Sequence, residues 1–77
     1  MRIEKLGNNK TRLNTGTASV YFSYNTPVVL VKGKQVYVTE DYYSKTTSRH
    51  ITEFLTFEDF EGRVINKIPT AKIEEML

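Results

Sequence analysis

The sequence contains no cysteine. That removes disulfide bridges and thiolate metal sites together, so the fold must rest on its apolar core or on self-association. It also favours a reducing, intracellular setting. The single histidine, His50, is too few for zinc, since a structural site takes roughly four Cys or His ligands and a catalytic one about three His or Glu ligands. Glycines are scarce and isolated; Gly7 and Gly33 read as turn residues, and no phosphate-cradling glycine loop is present. The acidic run Glu58, Asp59, Glu61 lacks the alternating Asp/Asn spacing and central glycine of a calcium loop, and reads as a solvated face. No stretch approaches the roughly 18 apolar residues of a membrane span. The start, MRIEKLGNNK, has no apolar run behind its charges, as a secretory signal would. The expectation is therefore a soluble protein that uses the whole chain, with no metal, no cofactor and no membrane partner.

What is present is short and unevenly charged. Its 77 residues make one domain, residues 1–77, and a domain of this size buries only about 60% of its unfolded surface, which leaves a thin stability margin. The net charge of +2 hides an asymmetry. Residues 1 to 50 hold eight Lys/Arg against three Asp/Glu, a balance of +5, and residues 51 to 77 hold three against six, a balance of −3. Such a split makes one face attractive to phosphate or to an acidic protein, or else merely solvates a small surface.

From Arg2 to about Thr39 the chain reads as strands. RIEKL precedes Gly7-Asn8-Asn9, residues that tolerate positive φ and turn the chain. TRLNT and SVYFSY follow, separated by Gly16; in the second, Ala18, Val20, Phe22 and Tyr24 share one face, and Ser19, Tyr21 and Ser23 the other. Asn25-Thr26 is the expected turn. PVVLV and VYVTE, joined by Lys32-Gly33-Lys34-Gln35, predict a hairpin over residues 28 to 39. The unbroken VVLV suggests a strand covered on both sides, and Pro27 belongs at a strand start or an edge. Val36 and Val38 are expected inward, with Gln35, Tyr37 and Thr39 outward.

After Asp41 the period changes. Thr47, His50, Ile51, Phe54 and Leu55 follow the three- and four-residue spacing of an amphipathic helix, with Ser44 or Thr46 as its N-cap. Thr56-Phe57-Glu58-Asp59 resembles a second helix start, ended by Gly62. RVINKI returns to strand alternation, and AKIEEML after Pro69-Thr70 forms a terminal helical turn or two. The fold class is thus α+β: a small, mainly antiparallel sheet of four to six strands, one short helix near residues 46 to 55, and a short C-terminal helix. Its core is expected to include Val20, Phe22, Val29, Val31, Val36, Val38, Ile51, Phe54 and Leu55.

The stretch DYYSKTTSRH, residues 41 to 50, combines hydroxyls, cations and the histidine. Nucleophilic catalysis needs a base bonded to a hydroxyl and a partner to orient it. His50 with Ser44, Thr46 or Thr47 supplies the residue types, but an exposed helical pair has neither an oxyanion hole nor a water-excluding cleft, so no catalytic residue is assigned. Binding fits better. Tyr21 and Tyr37 fall on the outward phase of neighbouring strands, and Tyr42, Tyr43, Lys45 and Arg49 come at the sheet-to-helix junction. Aromatics flanked by cations stack bases or grip a protein partner. The alternative is that the tyrosines pack beneath the helix and the first hairpin.

The block VYFSYNTPVVLVKGKQVYVTEDYYSKTTSRH resembles small uncharacterised proteins of bacteriophages and prophages. Their signature, a YFSYxTPV segment, a glycine turn, a Y-V strand, an aromatic-Ser-x-Thr-Thr motif and a nearby His, matches Tyr21, Phe22, Ser23, Tyr24, Thr26, Pro27, Tyr37, Val38, Tyr43, Ser44, Thr46, Thr47 and His50. Tyr43 stands where such proteins often carry another aromatic such as Trp. The resemblance spans about 30 residues and implies a viral accessory protein in the host cytoplasm, of a family with no activity to carry over. On this reading the chain is not an enzyme but binds a host protein, in a host-takeover or anti-defence role. The alternative is a nucleic-acid-binding module using the basic N-terminal sheet and the tyrosines. A host protein is favoured over nucleic acid, because the charge is modest and no dense Lys/Arg stripe is present. A homo-oligomer stays open.

Overall fold

In the computed structural model, which describes residues 2–57 and 64–77, the strand-like stretches join one six-stranded sheet. β1 (Arg2–Gly7), β2 (Lys10–Asn14), β3 (Ser19–Ser23), β4 (Thr26–Lys32) and β5 (Gln35–Thr39) form an antiparallel meander. Helix α1 (Lys45–Phe57) then precedes β6 (Val64–Ile68), which pairs with β5 in parallel, and α2 (Thr70–Glu75) follows. The protein is a small α+β domain with a mostly antiparallel sheet and two short helices.

Short turns set the register. Lys32 pairs with Gln35 across Gly33, whose φ of 61° lies in the left-handed region that glycine enters freely, so the hairpin over residues 28 to 39 forms as expected. The preceding turn sits one residue earlier than expected, at Tyr24-Asn25, because Thr26 already pairs with Ser23. Tyr24 and Asn9 both hold positive φ, at 58° and 60°. Asn tolerates that region, whereas a bulky side chain there costs about 1–2 kcal/mol. The two turns adjoin, and the Tyr24 amide donates to the Asn9 carbonyl at 2.7 Å.

Pro27 lies second in β4, not on an edge of the sheet. Its missing N–H is accommodated by a bulge: Tyr21 faces Val29, Phe22 faces Pro27, and Val28 is the extra residue. The bulge lets Val28 and Val29 both enter the same apolar cluster.

Each face of the sheet carries one helix. Beneath α1, Tyr21, Val28, Val29, Val31, Val36, Val38 and Phe54 form one core, with Leu6, Ile51 and Leu55 packed at its margin. On the opposite face, Val20, Leu30 and Ile73 of α2 form a second, bordered by Leu13, Ala18, Phe22, Tyr37 and Ile68. The sequence pattern placed Tyr21 and Ser23 outward; both are buried, at 0% and 1% exposure, because helices cover both phases of β3. Tyr37 is half-buried on the α2 side, and Thr39 is buried. Of the expected core, Phe22, Ile51 and Leu55 are only half-buried. The expected second helix start divides: Thr56 and Phe57 belong to α1, while Glu58, Asp59 and Gly62 lie outside the described residues.

Candidate functional site

The stretch DYYSKTTSRH joins the C-terminal end of β5 to α1, and its hydroxyls are used on backbone and on one another. Ser44 is the N-cap: its Oγ accepts a bond from the Thr47 amide at 3.1 Å, while Thr46 is exposed. Thr47 and His50 then face the sheet, where Ser23 of β3 meets both. Ser23 Oγ lies 2.7 Å from His50 Nδ1 and 3.3 Å from Thr47 Oγ1. The His50 ring sits between Tyr24, at 5.9 Å, and Phe54, at 6.3 Å between ring centroids.

A serine bonded to a histidine supplies the types of a nucleophile and a base. Here Ser23 is 1% exposed under α1, so a substrate atom has no approach to its hydroxyl while the helix is seated. Sequence spacing pairs His50 with hydroxyls of its own helix and misses Ser23, which comes from a strand 27 residues away. The available signal was the phase of β3, in which Ser23 follows Tyr21 on the face that α1 covers. Among the described residues, no group of three or more His, Cys, Asp or Glu could hold a metal ion. No helix among them is long and apolar enough to cross a membrane.

A second hydroxyl network lies at the ends of β5 and β6. Thr39 Oγ1 and Thr70 Oγ1 are 2.6 Å apart, the Tyr43 hydroxyl donates to Thr70 Oγ1 at 2.7 Å, and the Asp41 carboxylate accepts from the Thr70 amide at 2.9 Å. These bonds moor the start of α2 to the β5–α1 connection.

The six residues expected to bind do not share one surface. Tyr21 is corrected outright: its ring is in the core, 5.0 Å from that of Phe54, and offers nothing to a partner. Tyr37 projects from the opposite face of the sheet into the α2 cluster. Tyr43 is partly exposed but tethered through its hydroxyl. Lys45 and Arg49, one helical turn apart, lie exposed on α1, and Tyr42 is 72% exposed.

Tyr42 also lines a groove of about 380 Å³ that the sequence does not announce. Helix α1 packs on β3 and β4, and among the described residues the β5–β6 side of that face is less covered by it. Val38, Ile51 and Leu55 give the groove apolar walls, with Glu40, Asp41, Ser48, Thr52 and Lys67 of β6 also lining it. Ile65, in register with Val36, and its neighbour Val64 are half-exposed along β6.

Toward the β1–β2 end of the same face, two cations are engaged. Lys10 Nζ lies 2.6 Å from Glu53 on α1, and Arg12 pairs with Glu4. Lys10, more than any other neighbour, holds the Glu53 carboxyl below the usual carboxylate range. Tyr21 and then Glu4 raise the Arg12 guanidinium further above its already high value, against the opposing effect of burial.

No curated protein and no solved structure matches the chain. The model of a family of unknown function, DUF8033, matches residues 1–73, and the chain belongs to that family.

Proposed function

We propose that the chain is a non-catalytic binding protein that docks onto another protein through the groove between α1 and β6. The observation that carries this reading is Tyr42, exposed beside an apolar groove. An aromatic anchor next to a desolvated cleft is the usual centre of a protein contact, with charges at its rim. Lys45 and Arg49, on the outer side of α1, extend that rim. The likeness of the YFSYNTPV and YSKTT segments to phage proteins supports a host protein in the host cytoplasm as the partner, engaged to redirect or disarm host machinery. The runner-up, nucleic acid held by the basic sheet, is weakened because Lys10 and Arg12 are already paired with Glu53 and Glu4.

The test immobilises the full chain and compares host proteins retained by wild type, Tyr42→Ala and the Lys45→Ala/Arg49→Ala pair, with a thermal melt of each. The proposal expects a retained protein that Tyr42→Ala releases at unchanged melting temperature. Equal retention by all three sinks it. A salt titration against DNA and RNA separates the runner-up, since phosphate contacts give a steep log-linear loss and an apolar groove does not.

A further inference from the structure

Away from this groove, the β1–β2 and β3–β4 turns border an open surface hollow of about 310 Å³ lined by Lys5, Asn8, Asn9, Thr11, Tyr24 and Asn25. That is the small end of ligand sites, which run roughly 300–1,000 Å³. Among the described residues, no carboxylate lines it. Among the described residues, Asn8, Asn9 and Asn25 make no side-chain hydrogen bond and Lys5 makes no ion pair, although Lys10 and Arg12 on the neighbouring strand are each matched to an acid. Three free amides, a free ammonium and an aromatic ring therefore converge on one hollow.

The backbone adds an independent observation. Tyr24 holds a φ of 58°, a region that bulky residues avoid and that gathers at ligand sites when the surrounding structure enforces it. A glycine would make this turn with less strain, so what the position gains from Tyr is its ring. One side of that ring approaches His50, and the residue remains about half-exposed.

We infer that this pocket binds a nucleotide unit, with the base stacked on Tyr24, its edge read by the Asn8, Asn9 and Asn25 amides, and its phosphate on Lys5. An amide presents a donor and an acceptor side by side, which matches a base edge, and aromatic rings stack bases irrespective of sequence. A neutral sugar leaves Lys5 unmatched; a bare phosphate leaves the ring and the amides unused. The unit can be a free nucleotide or one residue of a single strand.

The experiment follows backbone amide chemical shifts of the full chain during titration with AMP, GMP, CMP and UMP, with short oligouridylate, and with glucose and inorganic phosphate as controls. The nucleotides are expected to move signals of residues 5 to 11 and 24 to 25. Tighter binding of oligouridylate assigns a single strand as the source, and equal or weaker binding assigns the free nucleotide. Tyr24→Ala should weaken binding about tenfold while Tyr24→Phe keeps it, because the ring and not its hydroxyl stacks. Lys5→Ala, at an exposed position that leaves folding intact, should reduce the salt slope by about one. No shift at millimolar nucleotide, an equal response to glucose or to inorganic phosphate, or unchanged affinity in Lys5→Ala each overturns the inference.

Discussion

Ser23 Oγ, on β3, stands 2.7 Å from Nδ1 of His50, on α1. The pair fastens helix to sheet in a place where both groups are buried, and losing either partner strands the other without water. His50→Ala should therefore destabilise the fold by about 1–3 kcal/mol. A urea melt measures this. His50→Gln should fold and leave partner capture within a few-fold of wild type. If it instead loses activity at unchanged melting temperature, the histidine works on a substrate and the structural assignment is wrong.

Ser44 and Thr46 were equal candidates for the cap of α1, and the structure separates them. Ser44→Ala should cost about 1 kcal/mol, whereas Thr46→Ala should stay within about 0.5 kcal/mol of wild type, as exposed substitutions do. Paired thermal melts decide it, and an equal loss in both refutes the capping role given to Ser44 alone.

Lys10 and Glu53 tie the β1–β2 hairpin to α1 at 2.6 Å. The Glu53 pKa is lowered on folding from an ordinary value of 4.5, so its ion pair stabilises the protein above that pH and the contribution is lost as pH falls through the lower, folded value. The stability gap between wild type and Glu53→Gln should be open at neutral pH, close below pH 4.5, and narrow in high salt. Urea melts across pH would show it. A gap that widens on acidification contradicts the pairing.

Phe54 is fully buried against Tyr21. Phe54→Ala should cost about 3–5 kcal/mol, a large part of the roughly 5–15 kcal/mol that holds a domain together. The expected result in a melt is a chain mostly unfolded at moderate temperature. A loss under about 1 kcal/mol would show that the α1 core is not the main one.

The hairpin of β4 and β5 was legible because Gly33 and the flanking valines are local signals, and α1 because Thr47, His50 and Phe54 keep a helical period. Tyr21 shows what alternation leaves open: it tells which residues share a face, but not whether a helix elsewhere in the chain covers that face. Here helices cover both, so outward and inward lose their meaning for β3. The parallel docking of β6 and the Ser23–His50 contact depend on pairings across α1, and no short window of sequence carries them. Of the binding set, Tyr42, Tyr43, Lys45 and Arg49 are exposed, whereas the sequence leaves open whether the tyrosines are exposed or packed. The groove beside Tyr42 depends on where α1 sits over β3 and β4, which is a matter of helix placement.

Thr39 and Thr70 meet at the ends of an excursion 31 residues long that contains α1 and β6. The five-strand meander before it is built from neighbours in sequence, so its pairings close short loops, while the Thr39–Thr70 contact and the β5–β6 ladder close a long one at greater entropic cost. The hydroxyl pair is thus the latch of a separable cooperative unit. Opening the latch is expected to release β6 and α2 ahead of the meander, which native-state amide exchange would read as faster exchange over Val64–Ile68 and Thr70–Glu75 than over the first five strands.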